Sequence, residues 1–585
     1  MKSKVRSLLY LPLCFCSLFG NALWFHYLYS PHPTRRWLLI FLLLTFAWSV
    51  LLTAIPALLP RLGKRIYMGV LGGLFFILTF VHCVYHNMFR KFFSFVDMAF
   101  AGDGFAFLEP SYLIVSPWAI LCSLLCLGLM IAAIVLAPKE KFTLPRCLTA
   151  LGAILLSVLL MVGVRVKFLT GGDTMIWDMG EDPASVYENF SDTKSSLSLL
   201  GLYHYTFRDI RLALFPGRSI SPAEREEIDA FAQSRSHQQN EYSGALEGKN
   251  LILIQLEAID TWMLEDYMPA LKAVKEHSLS FSNHYTPAYI TAGTFNTEFM
   301  VNTGLLPAAT GVSTSVYTRN AFPNSLAHLF RDKGYTANSF HGSEGTVYNR
   351  GSIHENFGYE HYHGGTDMGM PSYVMDSQLL VAMDQIAPQS DTPFFSFIIT
   401  YSGHGPYGDS NVIYQAHAQE AQAQAKRTDG NYVYAVGHAM ETDAFVAGLM
   451  EELRDRDLLK DTAVVFYADH YNYYMLDDDL NMDIKGVDSL NLLQHTDFFI
   501  YNQDWEPETV EKYTSSIDVL PTLANLFGLE ADYPLLAGDD AFSDGGGYVF
   551  FNDNTWVGTQ QDVSAQIADR RRVNALILTG NYWGK

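Results

Sequence analysis

Five long apolar runs dominate the first 165 residues, and they constrain the fold more than any other feature of the sequence. They lie near 8–29, 37–59, 66–86, 114–137 and 147–165. Each approaches the roughly 20 apolar residues that a helix needs to cross a bilayer. The chain has 585 residues, too many for one compact domain. We therefore predict a helical membrane domain of about five spans over residues 1–165, followed by separate folded material.

The basic residues of the short loops predict how the spans are oriented, because cytoplasmic loops are enriched in lysine and arginine. The N-terminus is basic, and so are the loops near 61–65 and 139–146. We assign these three to the cytoplasm, although basic residues at 35, 36, 90 and 91 fall on the opposite side. With an odd number of spans, everything after about residue 166 lies on the extracellular side of the cell membrane.

The net charge limits the possible partners, and the cysteine content limits the environment in which the chain folds. The formal net charge is −22, from 61 acidic and 39 basic residues. This excess of acid argues against nucleic acid as a partner. All six cysteines precede residue 148, so a large exported domain would fold without a disulfide. That suits a host that does not rely on oxidative folding, although a cytosolic domain would fit equally well.

Residues 166–248 read as a helical connector. The segment 196–215 mixes apolar and basic positions, and we expect a helix that lies on the bilayer. Residues 221–244 are polar and begin with Ser221-Pro222, which is a good helix start. We expect a linker helix there, leading to the globular domain.

From residue 249 to 585, short apolar runs alternate with longer helical patterns. Strands are predicted at 250–256, 336–340, 394–400 and 463–468, with helices at 324–334 and 434–457 among others. Most of the predicted strands are nearly unbroken apolar runs, as expected for strands buried on both faces of a sheet. The pattern predicts an α/β domain with a mostly parallel central sheet.

Each predicted strand is followed by a side chain that can bind a metal or exchange a proton. These residues are Glu257, His341, His404 and the pair Asp469-His470. Alone, each is explained as well or better by a cap or a turn. Ligands of parallel sheets bind at the carboxyl ends of the strands, so the coincidence favours a common site. Two carboxylates and an imidazole suit a divalent cation such as Mn²⁺ or Zn²⁺.

The stretch "ITAGTFNTEF" (290–299) offers hydroxyls beside a predicted helix start. Thr294 follows Gly293 there, and a hydroxyl at a helix N-terminus lies where an anion is favoured. A metal-bound hydroxyl would also ionise more easily and act as a nucleophile. For Thr294 alone, a helix cap is at least as good an explanation. We expect Glu298 to support the helix start.

Several motifs together resemble the lipoteichoic acid synthase family. They are "NLILIQLEAI", "AGTFNTEFMVNTGLLP", "FHGSEGTVYNR…FGYEHYH", "HGPY", "FYADHYNYY" and "SSIDVLPTLANLFGL". The resemblance covers most of the chain, in order and spacing. It implies a membrane-anchored enzyme whose external domain is sulfatase-like, of the alkaline phosphatase superfamily.

The resemblance also implies roles for individual residues. The metal ligands would be Glu257, Thr294, Asp469 and His470, holding Mn²⁺ or alternatively Mg²⁺ or Zn²⁺. Thr294 would be the nucleophile. The remaining implied residues contact phosphate or glycerol: His341, Tyr348, Arg350 and His404. For Arg350 alone, an ordinary surface arginine is the better explanation.

The implied reaction transfers glycerol phosphate from phosphatidylglycerol through a covalent phospho-threonine. The acceptor would be a glycolipid or a growing polyglycerolphosphate chain. Three departures bear on the acceptor. Tyr348 replaces the usual tryptophan, and Ser343 stands where the family often has an aspartate or asparagine. Tyrosines and acids follow His470 in place of small residues. A phosphodiesterase or phosphatase, another phospho-group transferase of the superfamily, and a catalytically inactive envelope-binding protein remain alternatives.

Overall fold

The protein is described here by a computed structural model, which divides into two compact units at residues 216 and 217. This division falls inside the predicted connector, so the proposed boundaries 1–165, 166–248 and 249–585 stay a prediction. The structure describes residues 2–29, 34–89, 92–95, 115–139, 143–170, 183–189, 193–214, 220–287, 293–308, 313, 317, 320–345, 347 and 350–584.

The first unit contains five helices long and apolar enough to cross a membrane, which confirms the predicted number of spans and their helical structure. A short helix and a longer one follow them. The helices are α1 (Lys2–Tyr29), α2 (Arg35–Ala54), α3 (Arg61–Phe89), α4 (Pro117–Leu136), α5 (Leu144–Phe168), α6 (Pro183–Asn189) and α7 (Thr193–Leu214).

Helix α7 packs inside the first unit, whereas the sequence predicted a helix lying on the bilayer. The Tyr203 hydroxyl donates to the Leu18 carbonyl of α1 at 2.6 Å. Gly201, at φ 71°, lies so close to α2 that a Cβ there would stand 2.6 Å from Thr45 Oγ1. The mostly apolar segment 197–203 is buried because it meets α1 and α2.

The second unit is an α/β domain built on an eight-stranded sheet in the order β4-β3-β5-β1-β6-β7-β2-β8. Neighbours β3, β5, β1 and β6 pair in parallel, and β7 runs antiparallel to β6 and β2. The mostly parallel sheet is thereby confirmed. Its strands are β1 (Asn250–Leu256), β2 (Leu279–Tyr285), β3 (Thr336–His341), β4 (His361–His363), β5 (Phe394–Ile399), β6 (Thr462–Ala468), β7 (Phe498–Tyr501) and β8 (Glu508–Ser515); a separate hairpin joins β9 (Tyr548–Phe550) and β10 (Trp556–Gly558).

Helices surround this sheet, and the first of them begins at the capped Ser221 predicted from sequence. They are α8 (Pro222–Gln233), α9 (Thr261–Tyr267), α10 (Pro269–Lys275), α11 (Gly293–Thr303), α12 (Leu326–Asp332), α13 (Arg350–Asn356), α14 (Gly365–Met368), α15 (Met383–Ile386), α16 (Val412–Gln424), α17 (Tyr432–Asp455), α18 (Asp478–Lys485), α19 (Ser516–Leu526) and α20 (Ser564–Thr579).

The two faces of the sheet carry separate hydrophobic cores, and β1 contributes to both. Leu251 and Leu253 pack into one core, while Ile252 and Ile254 pack into the other. Alternate residues of a strand point to opposite faces. A strand that is covered on both sides therefore reads as a nearly unbroken apolar run, which is why β1, β5 and β6 were predictable, whereas β3 mixes polar and apolar residues.

Replacing Ile254 by alanine should destabilise the α/β domain. Ile254 is fully buried in the central strand, so the change removes packed atoms and leaves a cavity. We expect a loss of about 2–5 kcal/mol in unfolding free energy, measured by denaturant titration of the full-length protein. Val412→Ala, at a site that is 62% exposed, is the matched control and should cost less than about 0.5 kcal/mol. Equal losses in both variants would contradict this packing.

Candidate active site

The carboxyl ends of four adjacent parallel strands carry the residues that the sequence singled out. His341 ends β3, Glu257 follows β1, and Asp469-His470 follow β6. His404 lies in the loop after β5. Because these strands are neighbours in one parallel sheet, their ends meet at one edge. The prediction of a shared edge is confirmed.

A compact cluster forms at the centre of this edge. Candidate ligand atoms of Glu257, Asp469 and His470 all lie within 4.8 Å of one another, and the three residues are buried. His470 Nε2 lies 3.4 Å from Glu257 Oε1 and 3.3 Å from Asp469 Oδ2. The structure thus brings together three of the four predicted metal ligands on two central strands.

Thr294, the fourth predicted ligand, reaches the same cluster from the start of α11. Its hydroxyl donates to Glu257 Oε2 at 3.1 Å and lies 3.3 Å from His470 Nε2. A Cβ at position 293 would stand 3.0 Å from His470 Cδ2, so glycine is what allows this approach. The Thr294 hydroxyl is therefore part of the cluster as well as of the helix start.

Three further hydrogen bonds fix helix α11 and the ends of strands β1 and β6 relative to one another. Gln255 Nε2 donates to the Thr294 carbonyl at 3.2 Å, and Thr297 Oγ1 donates to the Asp469 carbonyl at 2.7 Å. The Ala258 N–H donates to Asp469 Oδ1 at 2.8 Å from a left-handed turn of φ 52°. These bonds fix the positions of the nucleophile candidate and of one carboxylate before any ligand arrives.

The cluster is electrostatically strained. Burial opposes the charge on Glu257, but the His470 imidazole outweighs this effect and lowers the pKa of Glu257 to about 2. Burial and the neighbouring Glu257 charge raise the pKa of Asp469 well above its usual range. Burial opposes charge on His470 too, yet the two carboxylates raise its pKa to about 9. Glu257 and His470 therefore stabilise each other's charged forms, whereas the ionisation of Asp469 is disfavoured.

The donor set fits a divalent cation. Asp469 Oδ2 is buried and has no hydrogen-bond partner among the described residues. His470 Nδ1 contacts the Tyr471 carbonyl at 2.9 Å, which holds a proton on Nδ1 and turns Nε2 to the cluster, where it can bind a metal once its own proton has left. Two carboxylates, a hydroxyl and an imidazole are ligands that Mn²⁺ or Zn²⁺ accepts. Glu257, Thr294, Asp469 and His470 could hold such an ion.

His341 and His404 flank the cluster. His341 Nδ1 contacts the Ile399 carbonyl at 2.8 Å, and burial lowers the pKa of His341 to about 3. His404 contacts the carbonyl of Gly405 through Nδ1, and burial lowers its pKa too. Both imidazoles are therefore neutral at physiological pH.

Arg350 is deeply buried, whereas its sequence context alone favoured a surface position. It is 2% exposed, and its Nε and Nη2 contact Glu298 at 3.1 and 3.0 Å. His354 Nε2 contacts the same carboxylate at 2.5 Å. Glu298 therefore binds these two side chains, and the expectation that it supports the helix start is wrong. Tyr348 lies outside the described residues.

Sequence reasoning missed two residues that contact the site. Gln255 is a polar residue near the end of the otherwise apolar strand β1. A polar residue at such a position could have indicated a contact with the site. Tyr474 places its hydroxyl 3.4 Å from Glu257 Oε1, and its ring packs so closely on the next loop that a Cβ at Gly405 would stand 2.5 Å away. Its only signal was the unusual run of tyrosines after His470.

Comparisons with known proteins define the class of this domain. Residues 249–529 match the protein-family model described as Sulfatase. The α/β unit is therefore a sulfatase-like domain, as the fold and the strand-end cluster indicated. In overall fold, the chain is similar to the integral membrane protein lipooligosaccharide phosphoethanolamine transferase A from Neisseria meningitidis: TM-score 0.50, 15% identity, covering 90% of this chain and 96% of that one.

Similarity to curated proteins points to a narrower family than the Sulfatase model does. The chain is 24% identical over 375 residues to the lipoteichoic acid synthase of Staphylococcus saprophyticus, covering 60% of this chain and 57% of the relative. It is 23% identical over 376 residues to lipoteichoic acid synthase 2 of Bacillus subtilis, covering 60% and 56%. The match thus spans little more than half the length of these relatives. The resemblance to the lipoteichoic acid synthase family is confirmed.

Metal binding at the cluster should stabilise the folded protein. We expect Mn²⁺, added to the full-length protein after chelator treatment, to raise its melting temperature. At 100 times the dissociation constant the gain is about 2.7 kcal/mol in unfolding free energy. Asp469→Asn should abolish this response, whereas Asp504→Asn, at an exposed aspartate that pairs with Lys249, should retain it. An unchanged thermal shift in Asp469→Asn would place the metal elsewhere.

Proposed function

We propose that the protein is a metal-dependent phosphoglycerol transferase. It would move glycerol phosphate from phosphatidylglycerol, through a phospho-threonine on Thr294, to a glycolipid-anchored acceptor or a polyglycerolphosphate chain. The observation that carries this proposal is the Thr294 hydroxyl, 3.1 Å from Glu257 and 3.3 Å from His470 at the start of a helix. The similarity to lipoteichoic acid synthases supports the choice of transferred group.

In the first half-reaction, Thr294 Oγ1 bonds to the phosphorus of the lipid headgroup. The bond from phosphorus to the diacylglycerol oxygen breaks, and the proton lost by Thr294 Oγ1 ends on that oxygen, so diacylglycerol leaves as an alcohol. Glu257 Oε2 accepts the hydrogen bond of the Thr294 hydroxyl and so orients the oxygen for attack. A divalent cation on the cluster would supply charge that polarises the phosphate and lowers the pKa of the hydroxyl.

In the second half-reaction, an acceptor hydroxyl attacks the phospho-threonine and releases Thr294. We assign proton transfer in both steps to His404 or His341. Both lie at the same sheet edge, and a carbonyl fixes the Nδ1 proton of each, so proton exchange would go through Nε2. Arg350 and Tyr348 are proposed as contacts to phosphate or glycerol, with Arg350 oriented by Glu298.

Thr294→Ala should stop diacylglycerol release from phosphatidylglycerol, because the attacking oxygen is gone. We expect a loss of at least about a thousandfold, measured with labelled lipid and purified full-length protein. Thr294→Ser should retain part of the activity, and Thr579→Ala, at an exposed threonine on α20, should retain all of it. Turnover that persists in Thr294→Ala would mean that the nucleophile is another group. Glycerol phosphate released only into water would indicate a phosphodiesterase.

The lipid donor and acceptor fit a catalytic domain on the extracellular side of the membrane, as the loop charges predict. The α/β domain has no cysteine, so Ser390→Cys would introduce one at an exposed position. We expect a membrane-impermeant maleimide to label this variant in intact cells more strongly than the parent chain, whose six cysteines lie in the membrane unit. Labelling that requires permeabilised cells would place the domain inside.

A further inference from the structure

A buried carboxylate holds the loop 401–405 after strand β5, which carries His404, and the steps proposed above do not use this carboxylate. It belongs to Asp376, which is 2% exposed. Its Oδ1 accepts the Tyr401 N–H at 2.7 Å, and its Oδ2 accepts the Ser402 N–H at 3.0 Å. In return, the Asp376 N–H donates to Ser402 Oγ at 2.9 Å. One buried residue therefore fixes the first two residues of the loop.

Helix α17 holds both Asp376 and the loop, through two buried side chains one helical turn apart. The Thr442 hydroxyl donates to Asp376 Oδ2 at 2.9 Å. His438 Nδ1 donates to the Ser402 carbonyl at 2.6 Å. Residues four positions apart lie on the same face of a helix, so one face of α17 makes both contacts. The position of the loop is therefore set by the core of the domain.

The same loop also meets the metal-capable cluster. A Cβ at Gly403 would overlap the Glu257 carbonyl, so the loop passes directly over the end of strand β1. The His404 N–H donates to the Tyr401 carbonyl at 2.8 Å, and the Tyr401 ring stacks on the His404 imidazole at 5.2 Å between centroids. The orientation of the imidazole therefore depends on where the start of the loop is held, and Asp376 holds it.

We propose that Asp376 is a positioning residue, which acts on the reaction by fixing the orientation of the His404 imidazole. This inference rests on the proposed function and narrows it, because it assigns the proton transfers to His404 and not to His341. His341 ends strand β3 and contacts the Ile399 carbonyl, and none of the hydrogen bonds of Asp376 reaches either residue. A change at Asp376 therefore acts on one of the two candidate imidazoles.

Asp376→Asn should lower kcat for diacylglycerol release with little change in KM. An amide has the same shape as the carboxylate but only one acceptor oxygen, so one N–H of the loop loses its partner. We expect a loss of about ten- to a hundredfold, the rate loss that a displacement of about 1 Å causes. The measurement uses labelled phosphatidylglycerol and purified full-length protein.

Asp443→Asn is the matched control. Asp443 also lies on α17 and is buried, and its carboxylate also accepts two adjacent backbone N–H groups, those of Ala270 and Leu271. These bonds hold the start of α10 instead of the loop. The variant should therefore lose a similar amount of thermal stability, whereas its kcat should stay within about twofold of the parent.

A double-mutant cycle separates positioning from general destabilisation. In a His404→Ala background, Asp376→Asn should lower the remaining rate by less than about twofold, because the imidazole that it positions is already absent. Unchanged kcat for Asp376→Asn in the native background would overturn the proposal. Equal losses in the two backgrounds would do so as well, because Asp376 would then act without His404.

Hydrogen exchange tests the same contact without turnover. In full-length protein, Asp376→Asn should speed amide exchange at 400–405 by about three- to tenfold, the factor that one net hydrogen bond supplies, and Asp443→Asn should not. Thr442→Val, which removes one donor to Asp376, should act in the same direction and serves if Asp376→Asn does not fold. Unchanged exchange at 400–405 would overturn the proposal. Faster exchange there, in a protein whose native form releases no diacylglycerol, would support the role of Asp376 in holding the loop and refute the transferase.

Discussion

The site depends on one electrostatic problem: two carboxylates and an imidazole are buried together at the end of the central strands. Burying charge is costly unless it is paired, and carboxylates this close repel each other. Without a cation, the repulsion is reduced because only one carboxylate ionises easily: the pKa of Glu257 is lowered and the pKa of Asp469 is raised. A divalent ion would replace those protons, so metal affinity and protonation of the cluster are linked.

The parallel sheet makes this arrangement possible. Strands β1 and β6 are neighbours, so Glu257 and Asp469-His470 leave the sheet side by side. Helix α11 is then tied to both strands through Gln255 and Thr297, which places Thr294 over the cluster. The nucleophile candidate is thus held by hydrogen bonds outside the cluster itself. Such preorganisation is what a phosphoryl-transfer site requires, because positioning supplies much of the rate.

The parts of the molecule that could be predicted from the sequence are those where burial requires an apolar run of residues. The five spans and the strands β1, β5 and β6 are mostly apolar, and the residues after the parallel strands had to meet at one edge. Strands β2, β4, β7 and β8 of the main sheet were missed, because β2 and β8 mix polar and apolar residues and β4 and β7 are only three and four residues long. The partner of Glu298 was also missed, since Arg350 lies 52 positions away and only the tertiary fold brings the two together.

That buried ion pair affects how any Arg350 variant must be interpreted. Glu298 lies one helical turn after Thr294 on α11 and is held by Arg350 and His354, and the Arg350 guanidinium also covers the Phe295 ring at 4.1 Å. Removing Arg350 would leave a buried carboxylate without its main charge partner, a change that typically costs about 3–5 kcal/mol. Helix α11, which carries Thr294, would move or loosen as a result. Lost activity in Arg350→Ala would therefore not by itself establish a phosphate contact. That contact requires a variant in which Glu298 is neutralised as well, so that the helix keeps its position while the guanidinium is absent.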